Sequence, residues 1–335
     1  MASRLRRVRP GAGGWSRRRR GRGFEYLDGS GRTIRDPEVL ARIRALAIPP
    51  AWEDVWVCDD PAGHLQATGV DAAGRTQYRY HDEWRRRRDR EKHQRVEGLA
   101  EALPALRQRV ATDLARRGPV RDRVLACAVR MLDRGAIRVG TEEYARANGT
   151  IGLATLRKEH LTIARDGVHL RFTGKAGKDH DIVVHDDDIV SLLRSLRRGV
   201  PGDELLAYRD RDGWKDVRAA DINGYLQDAL GDGFSAKDFR TWRATVLAAV
   251  SLAAHDPDEG KKAVTVVVRE VADELGNTPA VARSSYIDPR VIDRFLDEGV
   301  TVAVTTMGED DVDLDRIDAA VLALLRDEDA VPVAA

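Results

Sequence analysis

The chain has 335 residues, 42% hydrophobic and 33% charged, with a net charge of only +1. That length suggests two domains with enough chain for at least one proper core. No apolar run approaches the ~18 residues a bilayer crossing needs, which excludes a membrane-spanning helix. Cys58 and Cys127 stand far apart and alone, which excludes a disulfide scaffold and a cysteine-based zinc site. The basic N-terminus lacks the apolar segment of a secretory signal, so a cytoplasmic protein is expected.

The small net charge hides a segregated distribution. Residues 1–95 carry 22 Lys and Arg against 13 Asp and Glu, and the remainder carries 34 against 42. The last 35 residues hold nine acids and two arginines. A basic front and an acidic tail can bind a polyanion locally without making the chain basic overall. Only eight of the 56 basic residues are Lys, so runs such as Arg17–Arg20 and Arg85–Arg88 are also what an Arg-rich coding bias would produce.

Residues 1–23, rich in Arg, Gly and Ser, read as a disordered basic arm. Residues 24–95 read as a β-rich domain and its linker. Val55 and Val57 alternate with polar residues, Asp60–Gly63 is a turn signal, Leu65 and Ala67 alternate again, and Asp71–Gly74 turns into Thr76–His81. The charged stretch Glu83–Arg95 reads as a linker or an exposed helix. Residues 96–299 are mostly helical, with Val124, Ala128 and Met131 at helical spacing before Gly135. A hairpin interrupts: Leu161 and Ile163, a turn at Arg165–Gly167, then Val168, Leu170 and Phe172, the loop Thr173–Asp179, and Ile182 and Val184. Ser235 and Asp238 form a capping box that opens a helix bearing Phe239, Trp242, Val246 and Val250. Val264, Val267, Val268, Val271 and Leu275 form another stripe, closed by Gly276, and Thr278-Pro279 starts a further helix. Residues 300–335 form an acidic tail with one amphipathic segment, Ile317–Leu325. The expected fold class is α+β, a small N-terminal antiparallel β domain with helices followed by a mainly helical domain.

Familiar nucleotide and metal sites are missing from this pattern. Gly174-Lys175-Ala176-Gly177-Lys178 lacks the spacing and the Ser or Thr of a P-loop. His180 and His185 read as two surface histidines with poor zinc geometry. Neither ATP, a metal nor any other cofactor is expected. The remaining polar candidates are Arg138 after the helix ending near Gly135, Lys175 on the hairpin tip, Arg240 in the second turn of the capped helix, Asn277 at a helix junction, and Tyr286 in Ser284-Ser285-Tyr286. Each has an ordinary alternative: a surface ion pair, a solvated loop charge, a helix cap, half-buried packing. Together they suit one reaction. Two guanidinium groups can hold the non-bridging oxygens of a phosphodiester. A tyrosine oxygen can attack phosphorus, a lysine can protonate the departing sugar oxygen, and cations stabilise the five-coordinate phosphate. The phenol, with an ordinary pKa of ~10, loses its proton either with the help of nearby arginines or to water.

Three N-terminal segments, Ile48–Trp52, Gly63–Gly69 and Gly74–His81, resemble the β domain of type IB DNA topoisomerases of the poxvirus and bacterial kind. Ile137–Tyr144, Thr173-Gly174-Lys175, Lys237–Thr241 and Gly276–Pro279 followed by Tyr286 resemble that family's catalytic domain, so that the likeness covers roughly residues 24–299. The resemblance implies a monomer that closes as a clamp on double-stranded DNA and works with the nucleoid. It cuts one strand through a 3′-phosphotyrosyl link, lets the free end rotate, and reseals. It makes Tyr286 the nucleophile, Arg138 and Arg240 the transition-state stabilisers and Lys175 the general acid. Gln77, Tyr78 and Tyr80 fall where the family's N-terminal domain touches DNA, and Tyr144 and Lys237 at further DNA-facing or active-site positions. Many members have His where this chain has Asn277, so the donor here is neutral. Two other readings compete. A tyrosine recombinase usually has His-x-x-Arg where this chain has Lys237–Arg240, and a helical N-terminal domain. A non-catalytic DNA clamp would have no need of a complete catalytic set.

Overall fold

Trp15 and the four arginines after it form a strand, where composition suggested a disordered arm. In the computed structural model, which describes residues 4–135, 137–165, 167–302 and 313–327, β1 (Trp15–Arg20) pairs antiparallel with β2 (Gly23–Leu27), setting Arg18 opposite Glu25. The arginine run is accommodated because its charges find partners. Arg18 forms an ion pair with Glu25 at 2.7 Å. Arg17 donates to the carbonyls of Pro49 and Trp52 and lies 4.1 Å over the Phe24 ring. Upstream, the Arg6 amide donates to the Ala62 carbonyl at 2.9 Å.

The chain divides into two units between Lys92 and His93. The first is built on a five-stranded antiparallel sheet in the order β2-β1-β3-β4-β5, with β3 (Glu53–Val57), β4 (Leu65–Val70) and β5 (Thr76–Tyr80). Alternation turns Val55, Val57 and Ala67 inward, onto Ile43 of α1 (Pro37–Ala45). Asp36 caps α1 by accepting the Glu38 amide at 2.9 Å, and Pro37 occupies the first helical position.

The unit boundary falls inside α2 (Asp82–Leu114), so the charged stretch is helix and not a loose linker. Its exposed first turns are laced by Arg87–Glu91 and Arg88–Glu91 pairs, each worth only a few tenths of a kcal/mol. From Val96 on, α2 buries Leu99, Leu103, Leu106 and Val110 at helical spacing.

The second unit is mainly helical. After α3 (Arg121–Arg134) and α4 (Glu142–Asn148) comes an antiparallel meander of β6 (Leu161–Ile163), β7 (Val168–Thr173) and β8 (Asp179–Val184). Then follow α5 (Asp187–Gly199), the hairpin β9 (Ala207–Asp210) and β10 (Gly213–Asp216), α6 (Ala219–Leu230), α7 (Ala236–Leu252), α8 (Lys261–Leu275), α9 (Pro279–Ser285), α10 (Pro289–Glu298) and α11 (Leu314–Arg326). The capping box that opens α7 is present: Asp238 accepts the Ser235 amide at 2.9 Å and is paired with Arg95 at 3.1 Å. Helix α7 is buried along most of its circumference and packs against α3, α6, α8, α10 and α11. No helix among the described residues is long and apolar enough to cross a membrane.

Helix α11 gives the amphipathic segment of the acidic tail a structural use. Val321, Leu324 and Leu325 join the core of the second unit, and the buried Asp318 accepts the Trp242 indole N–H at 2.7 Å. Arg107 bonds Asp133 and Asp318, each at 2.7 Å, and also Asp315. Removing the indole donor while keeping an aromatic ring isolates that contact. Trp242→Phe is expected to destabilise the second unit by about 1–3 kcal/mol, read as a lower urea midpoint with an unchanged slope. A midpoint within error of the parent would show the hydrogen bond to be dispensable.

Candidate active site

Arg138 leaves α3 on an extended segment that the neighbouring backbone clips in place. Its carbonyl accepts the Leu153 amide at 2.8 Å and the Val139 carbonyl accepts the Ala154 amide at 2.7 Å. Two residues on, Gly140 has φ +72, and a Cβ there would fall 2.8 Å from the Gly152 Cα, so only glycine permits this approach. The guanidinium then bridges two groups more than a hundred residues away. Nη2 donates to Asn277 Oδ1 at 2.7 Å, and Nη1 lies 3.4 Å from Tyr286 Oη.

Asn277 and Tyr286 bracket α9. Helix α8 ends at Gly276 in the left-handed conformation (φ +63, ψ +46), which turns the chain so that the Asn277 amide donates to the Ala272 carbonyl at 2.8 Å. Thr278 caps α9, Pro279 is its first residue, and Tyr286 is its C-terminal cap. The Arg138 donor fixes the orientation of the Asn277 carboxamide, because the opposite flip would set two donors face to face. Its Nδ2 is buried and has no acceptor among the described residues.

Arg240 approaches the phenol from α7. It is only 4% exposed, donates through Nη2 to the Leu275 carbonyl at 2.6 Å, and its Cζ lies 5.6 Å from the Tyr286 ring centre. Thr245, one turn further along α7, holds the chain after the tyrosine. Its hydroxyl accepts the Asp288 amide at 3.1 Å and lies 3.4 Å from the Tyr286 carbonyl. Asp288 caps α10 and pairs with Arg290 at 2.8 Å and His93 at 3.1 Å. Burial works against its charge, yet the hydrogen bonds from His93 and Arg290 prevail and hold the carboxyl well below the usual range.

The electrostatics follow from this crowding. Burial pushes the Tyr286 phenol up, but the hydrogen bond and charge of Arg138, together with Arg240, outweigh it and leave the phenol below its ordinary value. Burial first, and then the charge of Arg138, bring Arg240 down to about 10, so it is still a cation at neutral pH.

Of the residues singled out in the sequence, Arg138, Arg240, Asn277 and Tyr286 are brought together. Lys175 opens a single 3-10 turn, Lys175–Gly177, at the tip of the β7–β8 hairpin. Lys237 is exposed in the first turn of α7, and Tyr144 lies on α4. In the first unit, Tyr78 and Tyr80 are 49% and 38% exposed and stack with ring centres 6.0 Å apart. Gln77, the residue before Tyr78, points to the other face of β5 and donates to Asp71 at 2.9 Å.

His180 is a correction. It is not a surface residue: its ring is half-buried, stacks on Phe172 at 5.0 Å, and is held below its ordinary pKa by burial and then by the charges of Arg240, Lys178 and Arg138. The signal was present. His180 continues the inward alternation of Ile182 and Val184 by one step along β8. His185, outside that strand, is exposed. Among the described residues no group of three or more His, Cys, Asp or Glu is arranged to hold a metal ion.

Residues 81–298 match the family model of eukaryotic DNA topoisomerase I, catalytic core, and residues 23–71 match that of bacterial DNA topoisomerase IB, N-terminal domain. Over 260 residues the chain is 32% identical to DNA topoisomerase 1B of Acanthamoeba polyphaga mimivirus, covering 74% of this chain and 77% of that protein. It is 24% identical over 178 residues to DNA topoisomerase I of monkeypox virus and to DNA topoisomerase 1B of vaccinia virus (strain Copenhagen), covering 52% of this chain and 54% of each relative. The chain belongs to the type IB DNA topoisomerase family.

The charge around the phenol is open to direct measurement. Arg138→Ala removes a hydrogen bond and a cation from Tyr286, so the phenol pKa is expected to rise. With seven tyrosines in the chain, the Tyr286 titration is read as the difference in alkaline phenolate absorbance between each protein and its Tyr286→Phe counterpart. An unchanged or lower pKa in Arg138→Ala would contradict the assigned cause.

Proposed function

We propose that the protein relaxes supercoiled duplex DNA by transient cleavage of one strand, with Tyr286 as nucleophile. One observation carries this reading: Arg138 and Arg240 converge on the phenol, and Arg138 also holds the Asn277 carboxamide, whose Nδ2 has no acceptor among the described residues. That is a set of donors around an oxygen nucleophile, suited to a phosphate that becomes five-coordinate.

The chemistry follows from those groups. The Tyr286 oxygen attacks phosphorus and the bond to the 5′ oxygen breaks, leaving a 3′-phosphotyrosyl ester and a 5′-hydroxyl. The two arginines meet the charge that builds on the non-bridging oxygens, and Asn277 Nδ2 donates a neutral hydrogen bond to one of them. Lys175 gives its proton to the leaving 5′ oxygen. The phenolic proton passes to water, a transfer eased by the cations that already lower the phenol pKa. Religation is the same path in reverse. The ester retains the free energy of the broken phosphodiester, so resealing needs no ATP, and rotation of the free end removes supercoils of either sign.

Both units are proposed to engage the same duplex as a monomeric clamp. Exposed Tyr78 and Tyr80, together with Lys237 and Tyr144, would supply contacts, and Gln77 would exchange its bond to Asp71 for one to DNA. Affinity should fall steeply with salt, because phosphate contacts dominate such binding. Acting on chromosomal duplexes, the protein would work in the cytoplasm, with the nucleoid.

The test is relaxation of a negatively supercoiled plasmid in EDTA without ATP. The parent protein is expected to relax it and Tyr286→Phe to be inactive while still binding DNA. Relaxation by both would remove Tyr286 from the mechanism. Arg240→Ala is expected to slow single-turnover cleavage by about 10²–10³-fold, the usual cost of one transition-state donor. Asn277→His should stay active, since imidazole also donates to a phosphate oxygen; loss of relaxation in that variant would assign the carboxamide a different task.

A further inference from the structure

The imidazole of His180 occupies the space between two glycines, each immediately before a residue assigned to the chemistry. A Cβ on Gly174, next to Lys175, would fall 2.6 Å from His180 Nε2. A Cβ on Gly276, next to Asn277, would fall 3.2 Å from Cε1 and 3.4 Å from Nε2 of the same ring, with Lys178 Cδ beside it at 3.3 Å. Nothing larger than hydrogen fits beside the ring on the Gly174 side without displacement, and the Gly276 side is tighter than ordinary contact.

The ring is itself fixed. It stacks on Phe172 across the β7–β8 pair, where Phe172 and His180 are register partners. The turn between them is closed by the Gly174 amide donating to the Lys178 carbonyl at 2.7 Å. Lys178 fastens the same hairpin to the end of α8, its Nζ donating to the Asp273 carbonyl at 2.7 Å. A flat, uncharged ring suits this position. Arg240, Lys178 and Arg138 all act on it, and a further positive charge there would be repelled.

We propose that His180 is a positioning residue, whose ring sets the spacing between the loop that presents Lys175 and the turn that presents Asn277. Through that spacing it governs protonation of the leaving 5′ oxygen. The inference rests on the reading of Lys175 as general acid. It predicts a defect confined to the step that needs the proton, whereas a merely structural role would slow cleavage of every substrate alike.

The experiment compares two duplex oligonucleotides that differ only at the bridging 5′ atom of a cleavage site mapped beforehand by covalent trapping. One carries oxygen and the other sulfur. A thiolate leaves without a proton, so the sulfur substrate bypasses the general acid. Single-turnover cleavage is measured for the full-length parent, Lys175→Ala, His180→Ala and Gly174→Ala. The last variant displaces the ring without removing it and stands in if His180→Ala loses its melting transition.

Lys175→Ala, His180→Ala and Gly174→Ala are expected to be slow on the oxygen substrate, the positioning variants by roughly 10–100-fold. All three should approach the parent rate on sulfur. If sulfur rescues Lys175→Ala and neither positioning variant, or if the positioning variants are not slowed, the inference on His180 is overturned and the Lys175 reading stands. If sulfur fails to rescue Lys175→Ala, the general-acid reading itself is overturned, and the coupling with it.

Discussion

Arg138 and Arg240 face the same phenol, so two like charges have to be held close together in a half-buried site. Coulomb repulsion grows as water is excluded, and the cost is visible in Arg240, whose cation is brought down to about 10 by burial and by Arg138. The end of α8 relieves it. The last carbonyls of a helix lack intrahelical partners and carry partial negative charge. Here the Leu275 carbonyl accepts Arg240, the Asp273 carbonyl accepts Lys178, and the Ala272 carbonyl accepts the Asn277 amide. A carbonyl counters a cation with only partial charge, which leaves most of the guanidinium's attraction for a phosphate intact.

The same helix end therefore does two jobs that cannot be separated. It anchors the cations, and through Gly276 it turns the chain so that Asn277 and then α9 deliver Tyr286 to them. Tyr286 is held from behind by Thr245 and Asp288, whose partners His93 and Arg290 come from α2 and α10. Helix α7 carries both Arg240 and Thr245, and its Trp242 is tied to Asp318 of α11. An acidic segment that composition sets apart as a tail thus supports the helix that supplies a cation and a backbone clip to the site.

Much of the local structure was legible because its causes are local. The capping box at Ser235, the left-handed Gly276, the Thr278-Pro279 start of α9 and the alternation at Val55 and Val57 each depend on residues a few positions apart. Strand formation in the N-terminal arginine run depends on more distant partners. Strand β1 has a single apolar anchor, Trp15, and is a strand because Glu25 and the carbonyls of Pro49 and Trp52 accept its arginines. His180, taken with His185 as one of two surface histidines, is turned inward beside Phe172 by the alternation of β8.

The chain's own order of residues determined the chemical inventory: two arginines, a lysine, a carboxamide and a phenol, with a glycine beside Lys175 and Asn277. Only the tertiary structure decided that the arginines, the carboxamide and the phenol meet. Arg138 and Tyr286 are 148 positions apart, and no local preference acts over such a separation. Their encounter depends on α3 packing against α7, α7 against α8, and α8 against α9. That packing decides which helix end lies beside which guanidinium, and so which phenol is flanked by cations.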